Sequence, residues 1–197
     1  MIELSKITEK QKLIIAKGLC DYSYIMSNWK INDVDFQSVY YDFYLKARWA
    51  VMNLPENKAP YFDELQIIAP LANLMDVLDD LKVSMAAKSY EFSLGSKLLH
   101  TRNHLSPIYD SKVSDYLTLE ENVDFWWHHT PKHRGASRGL SERQKIEHDW
   151  TALNAWYKDL LNSLRGKEWI LWFNTNFPSY SSISDVKKID FIIFATR

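Results

Sequence analysis

The stretch Ser96-Lys97-Leu98-Leu99-His100, followed after a short interval by Pro107-Ile108-Tyr109-Asp110-Ser111, decides how this chain is read. Leu94, Leu98 and Leu99 recur at helical spacing, so a helix is expected from about Tyr90 to Arg102. Asn103 to Pro107 has the composition of a turn, and a second helix is expected from Ser111 to Leu119. Two helices joined by so short a turn can fold back beside one another. Lys97 then stands about 7–9 Å before the end of the first, at 1.5 Å per residue, where it can converge with Asp110 at the head of the second.

The same helical spacing runs outward in both directions. Thr8 is placed to cap a helix reaching about Leu19. Asp33 or Asp35 can cap another reaching about Asn53, in which Val39, Tyr40, Phe43, Tyr44, Ala47 and Val51 repeat at steps of three and four. Residues 54–60 carry two prolines and end it. Phe62 to Leu81 resumes the pattern, with Pro70 marking a break or a fresh start. On the far side, residues 128–140 are polar, basic and punctuated by Pro131, Gly135 and Gly139, and form an exposed basic loop. Ser141 reads as the cap of a long helix to about Leu164, with Gly166 near its end, and Ser184 as the start of the last helix. Trp169 to Phe173 reads as buried coil or helix, since a lone strand would have nothing to pair with.

Only five glycines interrupt 197 residues, 46% of them hydrophobic, which is enough to bury a core. The expected fold is therefore all-α, as a single compact helical domain over residues 1–197. Twenty-four basic and 25 acidic side chains leave a formal charge of −1, so any contact with a polyanion has to come from a local patch. The single Cys20 excludes an internal disulfide and a cysteine-based zinc site. No apolar run approaches the ~18 residues of a membrane span, and no leader pattern opens the chain, so no membrane partner and a cytoplasmic location are expected.

Residue chemistry gives Lys97 and Asp110 two readings. An amine beside a carboxylate is ordinarily an ion pair between helices. In a desolvated cleft the same pair can supply a nucleophilic amine and its proton acceptor. Lys112, two residues past Asp110, is a competing amine. His100, Arg102 and His104 lie between the two motifs, as helix-end residues or as contacts to phosphate. Lys132, Arg134 and Arg138 concentrate positive charge in the basic loop, where they could clamp a nucleic-acid backbone. Trp126 and Trp127 precede that loop and could stack on a displaced base or seal the core. His128, His129 and His133 lack a rigid element to aim them at one metal ion.

Ser93-Leu94-Gly95-Ser96-Lys97-Leu98-Leu99-His100 with Ser106-Pro107-Ile108-Tyr109-Asp110-Ser111-Lys112-Val113 resembles the signature of small bacterial proteins akin to 8-oxoguanine DNA glycosylases, in the helix-hairpin-helix glycosylase superfamily. The closing Ser184-Asp185-Val186-Lys187-Lys188-Ile189-Asp190-Phe191 is similar to the last helix of those small relatives. The resemblance implies a helix-hairpin-helix fold and a glycosylase with abasic-site lyase activity on damaged or modified DNA. Lys97 would attack the sugar C1′ of a flipped nucleotide, and Asp110 would assist its deprotonation and stabilise the charged sugar. Gly95 and Ser96 would lie at the phosphate, together with His100, Arg102, Lys132, Arg134, Arg138 and Trp127 as further nucleic-acid contacts. No metal or other cofactor is implied. The alternative is a catalytically silent nucleic-acid- or protein-binding relative of the same fold.

Overall fold

The computed structural model describes residues 2–46, 55–127 and 139–196, with backbone alone at 55–57. Among the described residues every regular element is helical and there is no strand. They form two compact units, residues 16–103 and residues 1–15 with 104–197. The division falls inside the first helix and again between Asn103 and His104.

Helix α1, Glu9–Ser27, runs two turns beyond the expected end at Leu19. It starts where the sequence places it: the Thr8 hydroxyl accepts from the Gln11 amide at 3.3 Å while the Gln11 side chain accepts from the Thr8 amide at 2.8 Å.

In the unit 16–103, Asp33 rather than Asp35 caps α2, Val34–Tyr40, accepting from the amides of Asp35 and Phe36. This helix loosens into a π-helical turn over Tyr41–Leu45. Its expected continuation to Asn53 lies outside the described residues from Ala47 onward. The next helix, α3, covers Pro55–Ile67 and so begins seven residues earlier than Phe62, within the segment expected to end the preceding helix. Proline at the first position costs nothing there, because that amide has no helical acceptor. Residues 68–73, around Pro70, interrupt the helix, and Asn73 caps α4, Leu74–Ser84, by accepting from the Met75 amide at 2.8 Å.

Helix α5, Phe92–Arg102, ends at the residue expected and is the central element of this unit. It packs against α3 and α4, and its residues from Leu94 to Thr101 are all buried. Gly95 permits the approach of α4: a Cβ there would stand 2.5 Å from Leu78 Cδ2. Tyr40 is the aromatic hub, with its ring against those of Phe36, Tyr44, Tyr61 and Phe62. Its hydroxyl lies 3.0 Å from Thr101 Oγ1 and 3.3 Å from the Tyr61 hydroxyl, and burial pushes its pKa up to about 12.

In the other unit, Asp110 caps α6, Ser111–Glu120, and Ser141 caps α7, Glu142–Asn162, through a reciprocal pair of bonds with Gln144. The expectation that this helix reaches Leu164 is corrected by Ser163, whose extended backbone breaks it. The Ser163 hydroxyl donates to the Leu160 carbonyl at 2.7 Å and accepts from the Gly166 amide at 3.0 Å, serving both helix ends at once. Gly166 thus opens α8, Leu164–Asn176, where a Cβ would fall 1.9 Å from the Leu160 carbonyl oxygen. Trp169 to Phe173 is helical within α8, with both those rings buried. The last helix, α9, Asp185–Thr196, packs against α6, α7 and α8 and is buried from Val186 through Ile193. No described helix is long and apolar enough to cross a membrane.

Candidate functional site

A fully buried helix ordinarily carries apolar side chains all round. Helix α5 instead places four polar ones in the interior: Ser96 and His100 with no exposed surface, Thr101 at 4% and Lys97 at 5%. The Ser96 hydroxyl donates to the Ser93 carbonyl at 3.1 Å and the Thr101 hydroxyl to the Lys97 carbonyl at 2.7 Å. His100 Nε2 lies 3.4 Å from the Tyr22 hydroxyl, with the two rings 5.9 Å apart. Lysine is the least suited of the four to burial.

The residues expected at a phosphate stand differently from what the resemblance implies. The Gly95 amide donates to the Glu91 carbonyl at 2.9 Å, as a helical amide does. Ser96 and His100 are enclosed. Arg102 is half-buried, its Nε donating to the Ile68 carbonyl at 2.9 Å and its guanidinium 4.9 Å from the Trp29 ring centre. Lys132, Arg134 and Arg138, like His128, His129 and His133, lie outside the described residues. Among the described residues no group of three or more His, Cys, Asp or Glu is arranged to hold a metal ion.

Lys97 belongs to the unit 16–103 and Asp110 to the other, and each is characterised by its own surroundings. Asp110 is half-buried and its Oδ1 accepts from the Val113 amide at 2.9 Å, which fixes the carboxylate over the N-terminus of α6. The competing Lys112 is held elsewhere, donating to the Phe194 carbonyl at 3.2 Å with its nitrogen 4.1 Å from the Phe194 ring centre.

A second polar cluster forms around α9. Lys187 and Asp190, one turn apart, are both buried, with Nζ 3.9 Å from Asp190 Oδ2. The hydroxyl of buried Tyr157 on α7 donates to Asp190 Oδ1. Burial pushes the Asp190 carboxyl up to about 7 against the opposing pull of Lys187 and Tyr157, and the charge of Asp110 pushes the same way as burial. Burial lowers the Lys187 pKa against the combined pull of Asp190 and Asp110. Tyr157 is raised well above an ordinary phenol by burial and by both carboxylates. A carboxyl that exchanges its proton near neutrality beside an amine of lowered basicity is chemistry met at functional sites and also in structural ion-pair networks.

The sequence reading gave no role to Lys187 or Asp190. A signal was present. Val186, Ile189, Phe191, Ile192 and Ile193 leave the closing helix without a polar face, but which of its charges go inside is set by the helices packed on it.

Trp126 and Trp127 are positioned by a third buried group. Asp149 has no exposed surface, and its oxygens accept from the Trp126 amide at 2.6 Å, the Trp127 amide at 2.8 Å and the Tyr109 hydroxyl at 3.3 Å. The Trp126 indole stacks on the His148 ring at 3.4 Å, and both tryptophans are half-buried.

No protein-family model matches this chain, and neither the curated proteins nor the solved structures contain a match to it.

Proposed function

We propose that this chain is a DNA-processing enzyme of the glycosylase and abasic-site lyase type, in which the Lys97 amine attacks the sugar C1′ of an extruded nucleotide as the glycosidic bond breaks and the base leaves with a proton, while Asp110 stabilises the positive charge that develops on the sugar. The observation that carries the reading is Lys97 at 5% exposure, a lysine enclosed in a helix buried from Leu94 to Thr101. Asp110, fixed at a helix N-terminus, supports it as a carboxylate of set direction. Borohydride trapping on duplexes containing an abasic site or 8-oxoguanine tests it. A covalent adduct that is lost in Lys97→Ala and kept in Lys112→Ala is expected. No adduct, under conditions that trap an active lyase, overturns the proposal.

The second reading, a binding protein without the chemistry, is favoured by Gly95. Its amide is used inside α5 and its missing side chain is accounted for by Leu78, so neither points to a phosphate. That reading predicts salt-sensitive binding to DNA that survives Lys97→Gln and weakens when Arg134 and Arg138 are both neutralised.

A further inference from the structure

Two side chains fix the Trp126 indole. Its ring lies within 5° of parallel to that of His148, with centres 3.4 Å apart, and its Nε1 donates to Asp124 Oδ2 at 3.0 Å. One carboxylate anchors both members of the stack, because Asp149 Oδ1 accepts from the Trp126 amide at 2.6 Å and lies 3.2 Å from His148 Nδ1. Its other oxygen takes the amide of Trp127 and the Tyr109 hydroxyl, and the carboxylate itself has no exposed surface.

Trp127 differs from its neighbour. Its amide is spent on Asp149, while among the described residues its indole meets no hydrogen-bond partner and no other ring. Buried indoles usually find a partner for the N–H, so a half-buried one without any is placed to meet something outside the chain. Trp126 is half-buried as well, and among the described residues His148 is the one ring against it.

An aromatic ring already held in place loses little freedom when a flat ligand stacks on it. An unpaired nucleobase is such a ligand, and every base offers the same π-face whatever the sequence. Charge favours this class over an aromatic side chain of a protein partner. Residues 128–138, which follow Trp127 directly, hold Lys132, Arg134 and Arg138 and no acidic side chain, which suits a polyanionic strand.

We propose that Trp126, backed by His148, is a stacking platform for one unpaired base of a DNA strand. The proposal deepens the DNA-processing reading and rests on it for the identity of the ligand. It does not depend on the Lys97 chemistry.

The test titrates the full chain, at low salt, into a single-stranded oligothymidylate carrying one 2-aminopurine, whose fluorescence is quenched when it stacks. Trp126→Leu, apolar but without a π-face, is expected to bind about 5-fold or more weakly and to lose the quenching, and Trp126→Phe to restore most of both. His148→Ala should weaken the quenching and His148→Phe, which keeps a ring behind the indole, should recover it. If Trp126→Leu does not fold, the His148 pair decides. Affinity and quenching that ignore these substitutions overturn the proposal, as does a wild-type chain that binds no single strand. Wild type that is quenched as expected but gives no borohydride adduct on abasic DNA overturns the lyase reading alone.

Discussion

The Lys187 ammonium nitrogen lies 3.9 Å from Asp190 Oδ2, one turn along α9, with both side chains more than nine-tenths buried. Two opposite charges this enclosed attract strongly, yet each is expensive to remove from water. The Asp190 carboxyl shows which effect prevails, since burial holds it at about 7 despite the lysine.

That balance fixes the sign of a pH effect. Between the ordinary carboxyl value of 3.8 and about 7, the folded chain keeps a proton on Asp190 that the unfolded chain has released. Stability contributed at this site therefore falls as pH rises through the window. Asp190→Asn cannot ionise and escapes the fall. Urea denaturation at about pH 4.5 and about pH 7.5 should show the variant gaining on wild type by roughly 3 kcal/mol at the higher pH, and a difference independent of pH would contradict it.

Gly166 and Gly139 need glycine for different reasons. At Gly166 a Cβ would meet the Leu160 carbonyl oxygen at 1.9 Å, and a backbone atom at a helix end has little freedom to withdraw. Gly166→Ala is expected to cost about 3 kcal/mol or more by forcing α7 and α8 apart at Ser163. Gly139 has a φ of +87° with nothing within 4 Å of a Cβ, so Gly139→Ala should cost only about 1 kcal/mol, from backbone strain. Thermal unfolding of the two variants side by side measures the ordering.

Gly95 presents a softer conflict, because the atom a Cβ would meet is the end of the flexible Leu78 side chain. Gly95→Ala should destabilise by about 1–2 kcal/mol, and part of that loss should vanish in the Leu78→Ala background. Simple additivity in the double-mutant cycle would mean that Leu78 is not what makes glycine necessary at this position.

Asp149 organises the backbone at Trp126 and Trp127. Asp149→Ala strands the amides of Trp126 and Trp127, and about 3 kcal/mol of stability should be lost. Because Trp126 stacks on His148, the neighbour of Asp149, the tryptophan emission should shift to the red before global unfolding. An unchanged spectrum would show that the stack holds without the carboxylate.

What the sequence determined by itself is local. Thr8, Ser141 and Asp33, one of the two residues offered for its helix, cap the helices expected of them, because a cap is decided by a side chain and amides two or three residues away. The scarcity of glycine and the three- and four-residue spacing of apolar side chains likewise suffice for an all-helical chain. The break at Ser163 escaped this reading because residues 142–176 keep a helical pattern throughout. Only the close approach of the Leu160 carbonyl shows why Gly166 opens a helix there instead of closing one. Tertiary structure alone decided which charges went inside. Lys97 and Lys187 have the same side chain as exposed Lys167, and their different exposure follows from the packing of α3 and α4 on α5 and of α6, α7 and α8 on α9. Desolvation depends on atoms distant in sequence, which is why Lys97 and Asp110 could be named from the chain as candidates while the cluster of Lys187, Asp190 and Tyr157 had to wait for the fold.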